Sequence, residues 1–328
     1  MRRLIAALSL TALPLVAGTA VTSPAFASEP PNVVADIAPI RSLVAQIMDG
    51  AGSPSQIIPT GASPHSYAMR PSEARALQGA DLVVWVGPAL THWLEEPLDT
   101  LARDALRLTL MDSVGTRNLP MRAAETLEQE GQGHSHDHDH DHATANEDGH
   151  GHDHAGDTDP HGWLDPANAV LWGAMIAAQL AELDPDNADL YQKNWAALRD
   201  EVEVLTPQIA KMLAGAQEKP FIVLHDSFHY FEVAFGIEAQ SFVIPGDGST
   251  PGPARLKALR DHLVARPAVC AFTEPQENDA LLQTAIEGQG TRVTVLDPMG
   301  DGQMRYADLM RGFAKAMAEC LTGNQPDK

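Results

Sequence analysis

The chain has 328 residues, with 22 Lys and Arg against 44 Asp and Glu, giving a formal charge of -22. So acidic a surface repels nucleic acid and anionic lipid, excludes both as expected partners, and is compatible with gathering cations. The length exceeds what one hydrophobic core usually holds, so two domains are expected.

The first residues read as a targeting segment. Arg2 and Arg3 make a basic start, residues 4–21 are apolar, and Ala25-Phe26-Ala27 is a small-x-small cleavage site. A signal peptide over 1–27 is expected, which places the mature chain in the periplasm. No cysteine precedes Cys270, so no lipid anchor is expected. No later segment is long and apolar enough for membrane insertion.

Beyond it, short β-branched runs alternate with helical ones. Strands are expected over 32–37, 55–59, 81–86 and, more weakly, 106–110, with helices over 40–48 and 71–79. Strands separated by helices imply a parallel sheet. Residues 123–157 are rich in His, Asp, Glu and Gly and poor in large apolar side chains, so they are expected as a loop. A helix over 167–183 follows, then a long one over 187–216, with Leu190, Trp195, Leu198, Val202 and Leu205 at helical spacing. Pro207 is expected to kink it or end it early. A second α/β pattern places strands over 220–224, 240–244, 268–273 and 291–296, and helices over 227–235, 253–265, 279–288 and 306–321. The fold class is therefore α/β: two lobes, each a mostly parallel sheet flanked by helices, joined by one long linker helix. Their boundaries are expected at 28–185, 186–216 and 217–328, without a residue-level repeat between the lobes.

Cys270 closes an apolar strand-like run and Cys320 lies late in a helical one. In an oxidising compartment they are expected to form a disulfide, adding roughly 4 kcal/mol in the chain-entropy model, with two buried free thiols as the alternative.

Ligands of open α/β sheets bind beyond the carboxyl ends of the strands. His65 follows the second strand, His225 ends the first strand of the second lobe, and His161 precedes a helix in a segment that can reach the same crevice. Asp297 ends the last strand. Three imidazoles and a carboxylate suit a divalent transition metal, zinc among them, and not magnesium or calcium. Glu274 reads as a loop-fixing acceptor before a ligand, and His92 and His262 as surface residues. The loop holds His134, His136, His138, His140, His142, His150, His152 and His154. Ordering them costs entropy, so they are expected as a weaker, zinc-gathering set, with a solvated spacer as the alternative.

Several segments resemble a known family: Gly61-Ala62-Ser63-Pro64-His65-Ser66-Tyr67 with Arg70-Pro71-Ser72, 81–87, and Asp159-Pro160-His161-Gly162-Trp163-Leu164-Asp165-Pro166. His225-Asp226-Ser227-Phe228, 272–276 and Leu296-Asp297-Pro298 complete the set. The chain is similar to the ZnuA-type zinc-binding proteins of the cluster A-I solute-binding family of ABC transporters. The resemblance implies zinc ligands at His65, His161 and His225, with Asp297 as fourth ligand or near neighbour. It also implies paired cysteines near the C-terminal lobe, and a monomer that hands Zn2+ to a membrane permease with its cytoplasmic ATPase. Manganese-type members carry a carboxylate where this chain has His225, so the imidazole favours zinc. His229 departs from the family pattern; four residues from His225, it is positioned to share a helix face and form an extra site, or to pack or face solvent.

A non-catalytic carrier is the leading expectation. A broader manganese, copper or nickel buffer is the alternative. A zinc hydrolase is disfavoured, because no H-E-x-x-H helix, nucleophile elbow or phosphate-cradling loop occurs.

Overall fold

A computed structural model describes residues 29–123 and 158–323. The expected signal peptide lies outside these residues, as does all of the His-rich loop except Ala123, including its eight histidines. Among the described residues no helix is long and apolar enough to cross a membrane.

The first lobe holds β1 (Val33–Ala35), α1 (Ala38–Ile47), β2 (Ser55–Gln56), α2 (Pro71–Gln78), β3 (Leu82–Trp85), α3 (Pro88–Thr91), α4 (Glu95–Leu101), β4 (Leu106–Thr109) and α5 (Pro166–Leu183). A long helix, α6 (Ala188–Leu213), follows. The second lobe holds β5 (Phe221–His225), α7 (His229–Phe235), β6 (Ser241–Ile244), α8 (Pro253–Ala265), β7 (Cys270–Thr273), α9 (Ala280–Ile286), β8 (Arg292–Val295) and α10 (Tyr306–Thr322). Each lobe builds a four-stranded parallel sheet, in the orders β2-β1-β3-β4 and β6-β5-β7-β8. The two orders are equivalent, so both sheets reverse direction at their central pair, where crevices open at the strand ends. The central strands β1, β3, β5 and β7 are buried throughout, as continuous apolar runs covered on both faces should be.

One apolar interior runs through both lobes. It includes Ile40 from α1 and Val83 from β3, Leu205 and Ile209 from α6, and Phe272 and Met317 from the second lobe. α6 packs on α1 and α5 on one side and on α10 on the other. A smaller cluster, with Ile222, Leu224, Leu259 and Leu282, fills the outer face of the second sheet beneath α8 and α9. Cys270 and Cys320 are joined by a disulfide that ties β7 to α10.

Pro207 does not end the long helix, which continues to Leu213. The lost N–H would have served the carbonyl of Glu203, and both residues are exposed. Val202, Leu205, Ile209 and Leu213 stay buried on the opposite face, and their packing outweighs the local penalty of ~3 kcal/mol. The second lobe's first helix starts at His229, later than its sequence suggests, because Ser227 turns away to bond Glu274.

Candidate metal centre

His65 sits on the loop between β2 and α2, and side chains fix that loop on both flanks. The Trp93 indole N–H donates to the Pro64 carbonyl at 2.9 Å. Tyr67 donates to Glu73 Oε1 at 2.7 Å, while Glu73 Oε2 accepts the Arg70 backbone N–H at the start of α2. From the other lobe Gly248, at φ +74°, lies so close that a Cβ there would stand 3.1 Å from His65 Cβ and Cγ. Only glycine combines that backbone with that approach.

His161 is held by the aspartate two residues before it. Asp159 Oδ1 accepts the His161 backbone N–H at 2.9 Å and lies 2.7 Å from Nδ1. A carboxylate at that distance orients the ring and favours the tautomer that leaves Nε2 to a cation. The next residue must be small: a Cβ on Gly162 would stand 2.6 Å from Met111 Sδ and 3.1 Å from Trp172. Asp165 then caps α5 by accepting the Ala167 N–H.

His225 is the last residue of β5 and pairs in register with Ile244. Its Nδ1 lies 3.4 Å from Glu274 Oε1, just beyond the end of the neighbouring strand β7. Ser227 donates to the same oxygen at 2.5 Å. His161 and His225 thus share one device, a buried carboxylate behind Nδ1.

The three rings converge. Their centroids are 5.7 Å (His65 to His161), 5.3 Å (His65 to His225) and 5.0 Å (His161 to His225) apart. One nitrogen from each lies within 4.8 Å of the others, and no other such group occurs among the described residues. Nitrogens about 2.0–2.1 Å from a tetrahedral zinc stand roughly 3.3 Å apart, so the three rings would have to draw closer to hold one. Nε2 of His65 and of His225 is buried without a hydrogen-bond partner. Two such orphaned atoms facing one cavity fit a cation and would otherwise be unfavourable.

The electrostatics agree. Burial, and then the neighbouring His161 and His225 rings, push the His65 pKa down to about 2, so this ring is a neutral donor. Burial opposes charge on His225, but Glu274 outweighs it and lifts the ring to about 9. Burial would raise Asp159, yet the ring and the N–H of His161 hold it well below the usual carboxylate range. The carboxylates of Asp159 and Glu274 are thus placed to offset the charge of a buried dication.

The family described as "Zinc-uptake complex component A periplasmic" matches residues 33–320. The chain belongs to this family. Among relatives, the high-affinity zinc uptake system protein ZnuA of Paracoccus denitrificans is 45% identical over 302 residues, covering 90% of this chain and 93% of the relative. The ZnuA of Brucella suis is 39% identical over 312 residues, with the same coverage. Two solved structures share the fold: a ZnuA crystal structure, with a TM-score of 0.71 at 22% identity covering 89% of this chain and 99% of that one, and AdcAII of Streptococcus pneumoniae, with a TM-score of 0.69 at 20% identity covering 90% and 100%.

Not every family position joins the cluster. Asp297 Oδ1 accepts from Gln276 Nε2 and from the Met299 N–H, both at 3.0 Å, and Asp297 is not among the residues lining the cavity, whereas Gln276 is. Glu274 acts as the acceptor that its place at a strand end suggests. His229 does not share a helix face with His225, because pairing with β6 keeps His225 in a strand while His229 opens α7. Its Nδ1 instead lies 3.4 Å from Asp159 Oδ2. His92 is exposed and pairs with Glu95, whereas His262 is half-buried on α8. Asp159 escaped the sequence reading as a functional residue, although its spacing two residues before His161 was the available signal. Arg122, bound to Asp226 and Glu232, left no such signal.

Proposed function

We propose that this chain captures Zn2+ in the periplasm with His65, His161 and His225 and delivers it to the permease of an ABC importer, acting as a monomer and without catalysis. The convergence of three imidazole nitrogens from both lobes within 4.8 Å carries the reading. The family and its zinc-uptake relatives support it. Cargo enters a ready-made, nitrogen-rich shell backed by two buried carboxylates, which suits zinc better than an oxygen-seeking manganese ion. In this reading the lobes span 28–185 and 217–328 with the linker helix between, and the histidines at 134–142 and 150–154 form a weaker gathering set.

Zinc titration by chelator competition tests it. The parent chain should bind one ion tightly, and H65A, H161A and H225A should each weaken that site by orders of magnitude. Three variants that bind like the parent would overturn the assignment. D297N separates two completions of the shell: weaker binding places the carboxylate on the ion, and unchanged binding leaves that position to water. Deleting 124–157 should lower the total number of ions bound while sparing the tight site.

A further inference from the structure

Arg122 directly precedes the His-rich segment, on the first-lobe side, yet its partners belong to the second lobe. Its Nε is 3.1 and 3.2 Å from the two carboxylate oxygens of Asp226, and its terminal nitrogens reach Asp226 Oδ1 and, at 2.6 Å, Glu232 Oε2. The Arg122 side chain is 10% exposed and both carboxylates only 2%. Burying three charges is a poor way to gain stability, since an apolar trio of the same volume often does as well or better. What a planar, bidentate guanidinium adds is a fixed geometry.

That geometry is fixed next to the metal site. Asp226 directly follows His225, and its N–H donates to Ile244 at 3.0 Å. Upstream of Arg122, the Leu119 carbonyl accepts the N–H of Asp159, the residue that orients His161. The Tyr230 hydroxyl joins these two stretches of chain, accepting from the Leu119 N–H at 2.8 Å and donating to the Asp159 carbonyl at 3.0 Å. Met121 and Asp226 both pack on Gly246, two residues before the Gly248 that abuts His65. The supports of all three histidines therefore meet along the short segment from Leu119 to Arg122.

We propose that Arg122 is a positioning residue for metal binding: clamped between Asp226 and Glu232, it holds the strand end bearing His225 in register with His161 across the lobe boundary. It touches no cargo. It acts through Asp226, and truncation lets the two halves of the shell drift relative to each other. The inference rests on the three-histidine site proposed above.

The test uses the full mature chain with R122M, R122K and D226N, and H225A as the control for the site itself. Three readouts are taken: zinc affinity by chelator competition, the visible spectrum of bound Co2+ as a report on shell geometry, and the melting temperature of the metal-free protein. R122M and D226N should each weaken zinc about tenfold or more, as loss of outer-shell support typically does, and should shift or weaken the tetrahedral Co2+ bands. R122K, whose single ammonium cannot span both carboxylates, should fall between R122M and the parent. A lowered melting temperature with zinc affinity within about twofold and an unchanged Co2+ spectrum would reduce Arg122 to a structural residue and overturn the proposal. If R122M does not fold, R122K and D226N decide it by the same two readouts. If H225A binds zinc like the parent, the histidine site itself is wrong, an outcome distinct from failure of Arg122 alone.

Discussion

Zinc binding at pH 7 should expel the proton that the metal-free His225 ring carries. Burial disfavours charge on this ring, but Glu274, with Glu277 and Asp226 behind it, raises its pKa to about 9. Two units separate that value from neutrality, so only about 1 metal-free molecule in 100 presents the neutral ring. Zinc requires that form, so the proton weakens apparent affinity on the order of 100-fold. His65 contributes nothing here, because its pKa lies near 2. Apparent affinity should therefore climb about tenfold per pH unit from 7 to about 9 and then level off. Calorimetric titration at pH 7 in buffers of different ionisation heat counts the proton, and chelator competition follows affinity across the range. E274Q removes the strongest raising influence, burial then prevails, and the proton count should fall by the share that His225 supplies. A binding heat independent of buffer in the parent chain, or an affinity flat across that range, would refute the reasoning. The same ring bears on the stability of the metal-free fold. Its contribution is complete below the ordinary value of 6.5 and is lost as pH rises through about 9.

Three further outcomes follow from the geometry. D159N keeps the shape of the side chain but removes the charge behind His161, so zinc affinity should drop about 10- to 100-fold by chelator competition while the circular dichroism spectrum stays unchanged. G248A places a methyl against His65 at a backbone angle unfavourable by about 1–2 kcal/mol, so it should weaken zinc binding, whereas G252A, with open space around its Cβ, should not. Replacing both cysteines by serine opens the link between β7 and α10. It should remove about 4 kcal/mol and lower the melting temperature by roughly 10 °C, with little effect on zinc binding.

Much of this was legible because periodicity reports directly on burial. Val33–Ala35, Leu82–Trp85 and Phe221–His225 are continuous apolar runs, and each proved to be a central strand covered on both faces. His65 and His225 could be placed at the crevice because both follow strand ends. Local preference is a poorer guide where tertiary contacts outweigh it. Pro207 reads as a kink or an early end, and the helix runs on to Leu213 with Val202, Leu205 and Ile209 buried on its other face. For His229 the sequence leaves a shared helix face with His225 or simple packing, and the side chain packs: His225 closes β5 in register with Ile244, while His229 opens α7 beside Asp159. Arg122 was beyond reach, because nothing in a single sequence indicates that a residue beside a low-complexity loop is paired with carboxylates 104 and 110 positions away.

The apolar interior shared by the two lobes limits how the cargo can leave. Prising the halves apart would wet the stripe of the long helix that faces both. Baring even ~400 Å² of such surface costs about 10 kcal/mol, close to the ~12 kcal/mol that holds a nanomolar ligand. A docking partner therefore gains more by dislodging a few crevice loops, the one carrying His65 above all, than by swinging the molecule open like a jaw. Unloading becomes a matter of subtracting one donor at a time.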